Sequence, residues 1–448
     1  MATVLVLGTC DTKLDETLFV KDRILAQASG RKDGNNGISR VLVMDVGRTA
    51  TQDDRIEIKQ QEVVSRCTAA ISNGNGNDDD ITKLPRAEYI RRITTGAIVI
   101  AREEFRASRI HGIVGLGGTC GTTLATTVMR EALPVGFPKL MVSTMGSADV
   151  KPYVGETDIT MMYSVVDIAG INSILSMALS NAAGAVAGMA LAYYGRQASS
   201  SEDGSVVPSP KTKRVGITMF GVTTPCVDRI RHYLTSNHGF EVYAFHATGS
   251  GGRAMERLIA ERQLDAVLDL TTTEVADHIV GGVMDPGPHR LEMGAKSGIP
   301  QIVSVGACDM VNFGPPGTLP EKFRNRVGNT RLFHEHNPSI TLMRTTPDES
   351  RAMGRFMVQR LRGAARPENV VVLLPVGGVS MLDVRGQVFC DPMADAALFE
   401  TLEDGLRGTG VKVIRDSRDI NDPGFAASTA EMFVDMIRRS DEEVKHVH

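Results

Sequence analysis

Short aliphatic runs alternate with longer segments of helical periodicity along this chain, and this alternation constrains the fold more than any other feature of the sequence. Runs that are apolar at nearly every position are typical of parallel strands covered by helices on both faces. The sequence therefore predicts the α/β class, with two doubly wound, mainly parallel-sheet (Rossmann-like) domains and an interdomain cleft. The predicted strands are residues 4–7, 41–45, 113–116 and 140–143 in the first half, and 214–219, 241–245, 266–270, 301–305, 370–374 and 411–414 in the second.

A polar segment divides the chain nearly in half. Residues 197–213 read QASSSEDGSVVPSPKTK, where Ser, Pro, Gly and charged residues replace any periodic pattern. Such a composition is typical of a linker. We therefore expect an N-terminal α/β domain at 1–196, a linker at 197–213, a C-terminal α/β domain at 214–442 and a tail at 443–448. A second polar stretch, NGNGNDDD at 73–80, predicts a solvated loop.

Charge and cysteine usage narrow the class of protein. The 49 Lys and Arg residues are scattered and face 53 Asp and Glu residues, for a net charge of -4, so the sequence predicts no nucleic-acid partner. The six cysteines show neither C-x-x-C pairs nor zinc spacing, which is typical of reduced thiols in an intracellular protein. The N-terminus runs into an apolar pattern without the basic region of a signal peptide. A cytoplasmic location is expected.

One segment resembles a membrane helix by composition. Residues 169–195 are nearly uncharged, and Gly184 and Gly188 have the G-x-x-x-G spacing of dimerising membrane helices. The segment also contains Asn172, Asn181 and several serines, and much of its bulk is Ala and Gly. We therefore expect no membrane span, but a soluble helix buried all round, against a sheet or a partner subunit.

The loop after the first predicted strand is the first candidate binding segment, because ligands of open parallel sheets bind outside the carboxyl ends of the strands. It reads GTCDTK at 8–13. Threonine hydroxyls and backbone N–H groups could donate to a phosphate, and Lys13 could supply a positive charge. The same residues could instead begin a helix with Asp11 or Thr12 as its N-cap.

The loop after the third predicted strand carries the strongest single signal. GLGGTCGTT at 115–123 precedes an apolar helical segment at 124–132. Glycines let a backbone approach an anion closely, and the following helix presents unpaired N–H groups. The loop lacks the Gly-Lys-Ser/Thr ending of a Walker A motif and misses the dinucleotide G-x-G-x-x-G spacing by one residue. Phosphate binding is favoured over a structural turn, and Cys120 is either an activated thiol or, more commonly at such a place, an inert one.

Polar loops also follow the strands of the second half. In HATGSGGR at 246–253, a glycine-rich turn lies between His246 and Arg253, which could hold an anionic group and transfer a proton, or simply turn the chain. Glu274 has the T-x-x-E spacing of a capping box with Thr271. His334 and His336 are two residues apart without an evident third ligand, so the sequence predicts no metal site.

Taken together, these loops resemble a known family, the largely uncharacterised proteins similar to the ATP-binding N-terminal region of the tomato tobamovirus-resistance protein. The match covers nearly the whole chain. The blocks that carry it are GTCDTK (8–13), GLGGTCGTT (115–123), VSTMGSADVKPYVG (142–155), TMFGVTTPCV (218–227), FHATGSGGRAME (245–256), DMVNFGPP (309–316), TLMRTT (341–346) and VSMLD (379–383).

The resemblance implies a two-domain α/β protein that binds ATP with Mg²⁺ and forms a homodimer. It assigns the nucleotide to the N-terminal domain, with further basic contacts expected from Arg48 and Arg86. In the plant protein this region is followed by a barrel domain, so a separate barrel-domain protein is an expected partner. The nucleotide-binding residues implied by the matching motifs are Asp11, Thr12, Lys13, Gly117, Gly118, Thr119, Cys120, Gly121 and Thr122.

Three functional hypotheses follow. The first is an ATP-binding enzyme acting on a small anionic metabolite, in which Arg253 orients a carboxylate, His246 acts as acid or base, and Asp309 assists. The second is a non-catalytic, nucleotide-responsive module that recognises a protein. The third is an ATP-independent hydrolase or lyase that uses Cys120 or His246.

Overall fold

The computed structural model describes residues 1–27, 37–71, 80–199, 212–324 and 331–446. The chain forms two compact units, Met1–Val207 and Pro208–His448. Most of the predicted linker, most of the predicted loop at 73–80 and the last two residues of the predicted tail lie outside the described residues.

The N-terminal unit contains a parallel five-stranded sheet in the order β2-β1-β3-β4-β5. Its strands are β1 (Ala2–Gly8), β2 (Ile38–Asp45), β3 (Gly112–Gly117), β4 (Lys139–Ser143) and β5 (Thr160–Tyr163). The first four confirm the predicted strands. Strand β5 was not predicted, because this short edge strand is partly exposed along its length and lacks an uninterrupted aliphatic run.

Helices cover both faces of this sheet. The core on one face includes residues of α2, α3 and α4, and the core on the other includes residues of α1 and α6. The helices are α1 (Cys10–Ala26), α2 (Gln60–Ile71), α3 (Arg86–Arg106), α4 (Thr119–Ala132), α5 (Lys151–Val154) and α6 (Ser173–Ser199).

The start of α1 differs from the predicted N-caps. The helix begins at Cys10 after Thr9, so the prediction of Asp11 or Thr12 as N-cap is wrong. The buried carboxylate of Asp45 accepts the Cys10 N–H at 3.1 Å, which supplies a partner for the first amide of the helix. The helix is kinked at Lys13, whose φ of -139° and ψ of 38° are not helical.

The apolar segment forms α6, which this chain buries on one face only, and burial of the other face against a partner subunit stays a prediction. Leu175, Leu179 and Val186 on one face are fully buried against the sheet and α1, whereas Ile174 and Met177 are 45% and 60% exposed. Among the described residues, α6 is the one helix that is both long enough and apolar enough to cross a membrane, judged by length and composition. Because one face of α6 packs on the sheet, α6 is a helix that covers the sheet of an α/β domain. The cytoplasmic location stays a prediction.

The C-terminal unit contains a parallel six-stranded sheet in the order β14-β13-β9-β8-β6-β7, and all six strands confirm predicted runs. A small antiparallel sheet, β10-β12-β11, was not predicted. The strands are β6 (Arg214–Met219), β7 (Glu241–His246), β8 (Ala266–Thr271), β9 (Gln301–Gly306), β10 (Met310–Phe313), β11 (Phe333–Asn337), β12 (Ile340–Arg344), β13 (Val370–Pro375) and β14 (Lys412–Asp416).

Helices again cover both faces of the large sheet, which confirms the α/β class. They are α7 (Thr224–His238), α8 (Ser250–Ala260), α9 (Thr273–Val280), α10 (Glu292–Ser297), α11 (Glu321–Arg324), α12 (Pro347–Leu361), α13 (Pro392–Leu406) and α14 (Pro423–His446). The two parallel sheets have the same strand order. When only the strands of each parallel sheet are counted along the chain, both sheets run in the order 2-1-3-4-5, and the second adds a sixth strand.

Candidate functional site

A cavity of about 760 Å³ opens at the carboxyl edge of the N-terminal sheet. The loops after β1 and β3 both line it, and these strands are neighbours at the point where the strand order reverses. Ligands of doubly wound sheets bind at such a switch point. The volume is within the range of small-molecule sites. The lining residues are Thr9, Asp11, Thr12, Lys13, Val46, Arg48, Arg86, Tyr89, Ile90, Gly118, Thr119, Cys120, Gly121 and Leu124.

The glycine-rich loop between β3 and α4 turns so tightly that part of it excludes side chains. A Cβ on Gly117 would lie 2.9 Å from the Cα of Gly121. Gly118 is the N-cap of α4 and provides no side-chain hydrogen bond, and the first helical bond runs from the Thr122 N–H to the Gly118 carbonyl. The N–H groups before Thr122 therefore have no intrahelical partner at the edge of the cavity.

The loop after β1 is held by two carboxylates. Asp45, at the end of β2, is fully buried and accepts the N–H groups of Cys10 and Gly47 at 3.1 and 2.8 Å. Burial raises the pKa of the Asp45 carboxyl above its usual value. Asp11 is exposed and accepts the N–H groups of Arg48 and Thr49 at 2.8 and 3.1 Å. These bonds tie the loops after β1 and β2 together along one wall.

Three cationic side chains line the cavity in different ways. Lys13 donates to the carbonyl of Ile168, in the segment before α6. Arg48 donates to the carbonyls of Thr82 and Leu84 and lies over the ring of Tyr89, so its guanidinium is part of the wall. Arg86 is the first residue of α3 and is exposed. A cation at a helix N-terminus is unfavourable by itself, and an anion bound between Arg86 and the helix would relieve this.

Part of the cavity wall is apolar. Val46, Ile90 and Leu124 line it together with the ring of Tyr89, whose hydroxyl donates to the Gly47 carbonyl. Burial raises the pKa of the Tyr89 hydroxyl to about 12, so it remains a neutral donor. The cavity wall therefore combines backbone amides and cationic side chains with apolar side chains.

Nine of the predicted nucleotide-binding residues line this one cavity: Asp11, Thr12, Lys13, Arg48, Arg86, Gly118, Thr119, Cys120 and Gly121. Gly117 and Thr122 form the layer behind it, where the Thr122 hydroxyl hydrogen-bonds Ser143 at 2.6 Å. Sequence reasoning missed Thr9, Val46, Tyr89, Ile90 and Leu124. Thr9 and Leu124 adjoin the predicted loops and could have been included, whereas Tyr89 and Ile90 lie inside a helix without any local signal.

The three residues assigned to catalysis lie in the C-terminal unit and do not converge. His246 ends β7, is exposed, and has its ring 5.5 Å from that of Phe220. Arg253 on α8 donates to the Asp285 carbonyl at 2.8 Å. Asp309 is buried after β9, and β6 and β8 lie between β7 and β9. At the usual strand spacing of about 4.8 Å, the ends of β7 and β9 are roughly 14 Å apart. The catalytic assignment stays a prediction.

The glycine-rich turn beside His246 already holds an anion from this chain. The carboxylate of Glu274 accepts the N–H groups of Gly249 and Gly252 at 2.6 and 3.1 Å, and its other oxygen accepts from Arg290 at 2.7 Å. Arg290 is fully buried and also pairs with Asp269. The predicted capping box between Glu274 and Thr271 is therefore wrong, because the Glu274 side chain reaches α8 rather than the start of its own helix.

Asp309 belongs to a buried cluster of three carboxyl groups around one guanidinium. Arg344 donates to Asp383 and Asp395 at 3.1 and 2.6 Å, and Asp309 accepts from Ser380 at 2.8 Å. Burial raises the pKa of Asp309 to about 6 and that of Asp383 to about 8.

No group of three or more His, Cys, Asp or Glu residues in the described part of the chain is arranged to hold a metal ion.

Comparison with known proteins gives matches along the whole chain. Residues 2–195 match the family described as "Uncharacterised protein family (UPF0261) N-terminal domain", and residues 212–437 match its C-terminal domain. A UPF0261 protein of Clostridium tetani is 41% identical over 438 residues, which are 97% of this chain and 99% of that protein. The ToMV resistance protein Tm-1 of Solanum lycopersicum is 38% identical over 444 residues, 98% of this chain and 56% of the tomato protein. Among solved structures, a UDP-N-acetylglucosamine 2-epimerase is similar over 67% of this chain and 78% of its own, at 12% identity and a TM-score of 0.17, which is too low to carry an argument.

Proposed function

The chain belongs to the uncharacterised protein family UPF0261, and from this premise we propose that its N-terminal domain binds ATP. The observation that carries the proposal is the cavity at the β1/β3 switch point, where α1, α3 and α4 all begin. Each helix N-terminus is equivalent to roughly half a positive charge, and the first turns of α3 and α4 also present N–H groups that have no intrahelical partner. A polyphosphate is the ligand class that such a site favours.

The remaining walls fit the other parts of the nucleotide. Lys13 and Arg86 add two cations to the amides that line the cavity, and these groups would hold the phosphates. Val46, Ile90 and Leu124 form an apolar surface that a base could cover. A Mg²⁺ ion would bind the phosphates rather than a preformed protein cage, which is how Mg²⁺ commonly binds with nucleotides.

A nucleotide-responsive binding protein is a second candidate, and one observation favours it over an enzyme. The glycine-rich turn of the C-terminal unit, which the enzyme hypothesis needs for a substrate anion, is filled by Glu274. ATP consumption in the presence of a metabolite mixture would support the enzyme. ATP that is bound but not consumed would support the binding protein. The homodimer and the separate barrel-domain partner stay predictions.

Two arginines of α3 provide a matched test of ATP binding. Arg86 and Arg91 are both exposed, but Arg86 lines the cavity whereas Arg91 does not. We expect Arg86→Gln to weaken ATP binding about tenfold, because one charged phosphate contact is lost, and Arg91→Gln to change it less than about twofold. Isothermal titration of the full chain with Mg²⁺ and ATP measures both. A wild-type protein without measurable ATP binding, or equal effects of the two variants, would contradict the proposal.

A further inference from the structure

The segment that joins β5 to α6 crosses the carboxyl edge of the N-terminal sheet, and we call residues 164–171 the strap. It begins beside β4, where the Ser164 N–H donates to the Ser143 carbonyl at 3.1 Å. It ends against α1, which follows β1, two strands further along the sheet. The side chain of Ile168 is fully buried in the core beneath it. The strap is therefore anchored at both ends and in the middle.

Two hydrogen bonds join the strap to α1, and they come from neighbouring turns of that helix. Lys13 donates its ammonium to the Ile168 carbonyl. Glu16, whose side chain is buried at 3% exposure, accepts the Gly170 N–H at 2.5 Å. Each charged side chain therefore has a backbone partner of the matching kind: the ammonium has a carbonyl, and the carboxylate has an N–H group two residues later.

The strap holds a strained backbone conformation between its anchors. Val165 has a φ of 67°, which is rare for a β-branched residue, and its side chain is 59% exposed. Strain of this kind persists only where surrounding contacts fix the chain. The contacts at Ser143 and Glu16 lie on either side of Val165. The strap is therefore a fixed structure rather than a loose connection.

Lys13 is the link between the strap and the cavity. Its ammonium has three donors, of which the Ile168 carbonyl takes one, while its side chain lines the cavity. A lysine side chain that is already held in place loses less conformational entropy when it binds an anion. The strap carbonyl thus orients the Lys13 ammonium at the wall of the cavity.

We propose that Glu16 is a positioning residue for nucleotide binding, which acts through the strap on Lys13. Glu16 fixes Gly170, the strap carbonyl of Ile168 then fixes the Lys13 ammonium, and the ammonium contacts a phosphate of the nucleotide. The inference rests on the proposed ATP binding. By linkage, nucleotide binding stabilises the strap as much as the strap favours the nucleotide.

A double-mutant cycle on the full chain tests this route. We expect Lys13→Met to weaken ATP binding about 30-fold, because a charged phosphate contact is lost, and Glu16→Ala to weaken it about tenfold. In the Lys13→Met background, Glu16→Ala should have no further effect, because the residue acts through Lys13. Glu16→Gln keeps an acceptor oxygen for the Gly170 N–H and should restore most of the affinity. Isothermal titration with ATP measures all four.

Two further variants separate positioning from charge and from folding. Asp22→Ala removes the same charge from an exposed site on the same helix and should leave ATP binding within about twofold. Gly170→Ala adds a side chain that meets no atom within 4 Å, but strains a φ of 81°. It should weaken ATP binding about threefold, because the strap shifts while the Glu16 carboxylate is kept. Additive effects of Lys13→Met and Glu16→Ala would overturn this inference and leave the proposed ATP binding intact. The same holds if the Glu16→Ala and Gly170→Ala variants both bind ATP as tightly as the wild type. A wild-type protein that does not bind ATP would remove the proposed function as well.

Discussion

Two adjacent glycines at the end of β3 have different physical roles. Gly117 ends the strand where the backbone of Gly121 returns, so a side chain there would contact main-chain atoms. Gly118 is the N-cap of α4, and a Cβ on it would meet the Thr144 hydroxyl at an ordinary 3.7 Å. The first glycine is required by packing, and the second leaves space in the cavity.

This difference predicts different outcomes for the two alanine variants. Gly117→Ala should lower the free energy of unfolding by about 1–3 kcal/mol, because the backbone of the turn must shift. Gly118→Ala should cost less, about 0.5 kcal/mol, because alanine is a poorer N-cap than glycine but would contact no close atom. Urea unfolding followed by circular dichroism measures both. Equal losses for the two variants would show that the turn has a different conformation.

At the residue scale, Glu274 shows how little a local motif reveals about a partner. Its spacing from Thr271 indicates a capping box, yet its carboxylate lies at the N-terminus of α8 and pairs with Arg290. Both partners come from other elements of the fold. A buried carboxylate binds where unpaired amides and a guanidinium meet it, because leaving any of these groups unpaired is costly.

At the scale of elements, α6 and α3 contain glycines in opposite surroundings. Gly188 of α6 is exposed, and a Cβ on it would meet no atom within 4 Å. Gly96 of α3 packs against α2, and a Cβ on it would lie 2.1 Å from the Val63 carbonyl oxygen. The glycine in α6 is therefore not required by packing within this chain, whereas the glycine in α3 is.

The two helix glycines give a second matched pair of variants. Gly188→Ala should raise the free energy of unfolding by about 0.5–1 kcal/mol, because alanine loses less backbone entropy in a helix. Gly96→Ala should lower it by about 1–3 kcal/mol through overpacking. Thermal and urea unfolding measure both. If Gly188→Ala destabilised the protein, the outer face of α6 would have to be packed against another molecule.

At the scale of the whole molecule, two sheets of the same winding contain different groups at their switch points. In the N-terminal unit the β1/β3 point opens into the cavity. At the corresponding β6/β8 point, the fully buried hydroxyls of Thr223 and Thr271 hydrogen-bond each other at 2.8 Å. Shared topology therefore does not imply a shared ligand, since the side chains decide whether the switch point is open.

Buried carboxyl groups should make the C-terminal unit less stable as the pH rises. Burial raises the pKa of Glu256 and Asp277 to about 7 and that of Asp383 to about 8. The folded state keeps these protons up to those pH values, whereas the unfolded chain releases them near pH 4. The folded state thus binds more protons between about pH 4 and 8, and its stability falls across that window as the pH rises.

Hydrogen exchange measured by mass spectrometry at pH 6 and pH 8, corrected for intrinsic exchange rates, resolves the two units separately. We expect peptides of the C-terminal unit to lose at least about 1 kcal/mol of protection at pH 8. Asp383→Asn should reduce this loss, because the group no longer titrates. Protection that stays constant or increases between pH 6 and pH 8 would contradict the prediction.

The sequence by itself determined the α/β class, nearly all the parallel strands, and which two loops of the N-terminal unit would form a candidate site. These features depend on local patterns of apolar and glycine residues, which a single segment carries. The tertiary structure decided which backbone group each charged side chain meets. Asp45 accepts the Cys10 N–H, Glu274 accepts the Gly249 N–H, and Lys13 donates to a carbonyl 155 residues away. Such partners depend on how elements distant in sequence pack together, and no local pattern encodes that arrangement. For the same reason, the edge strand β5, the one-sided burial of α6 and the apolar wall at Tyr89 became visible only in the folded chain.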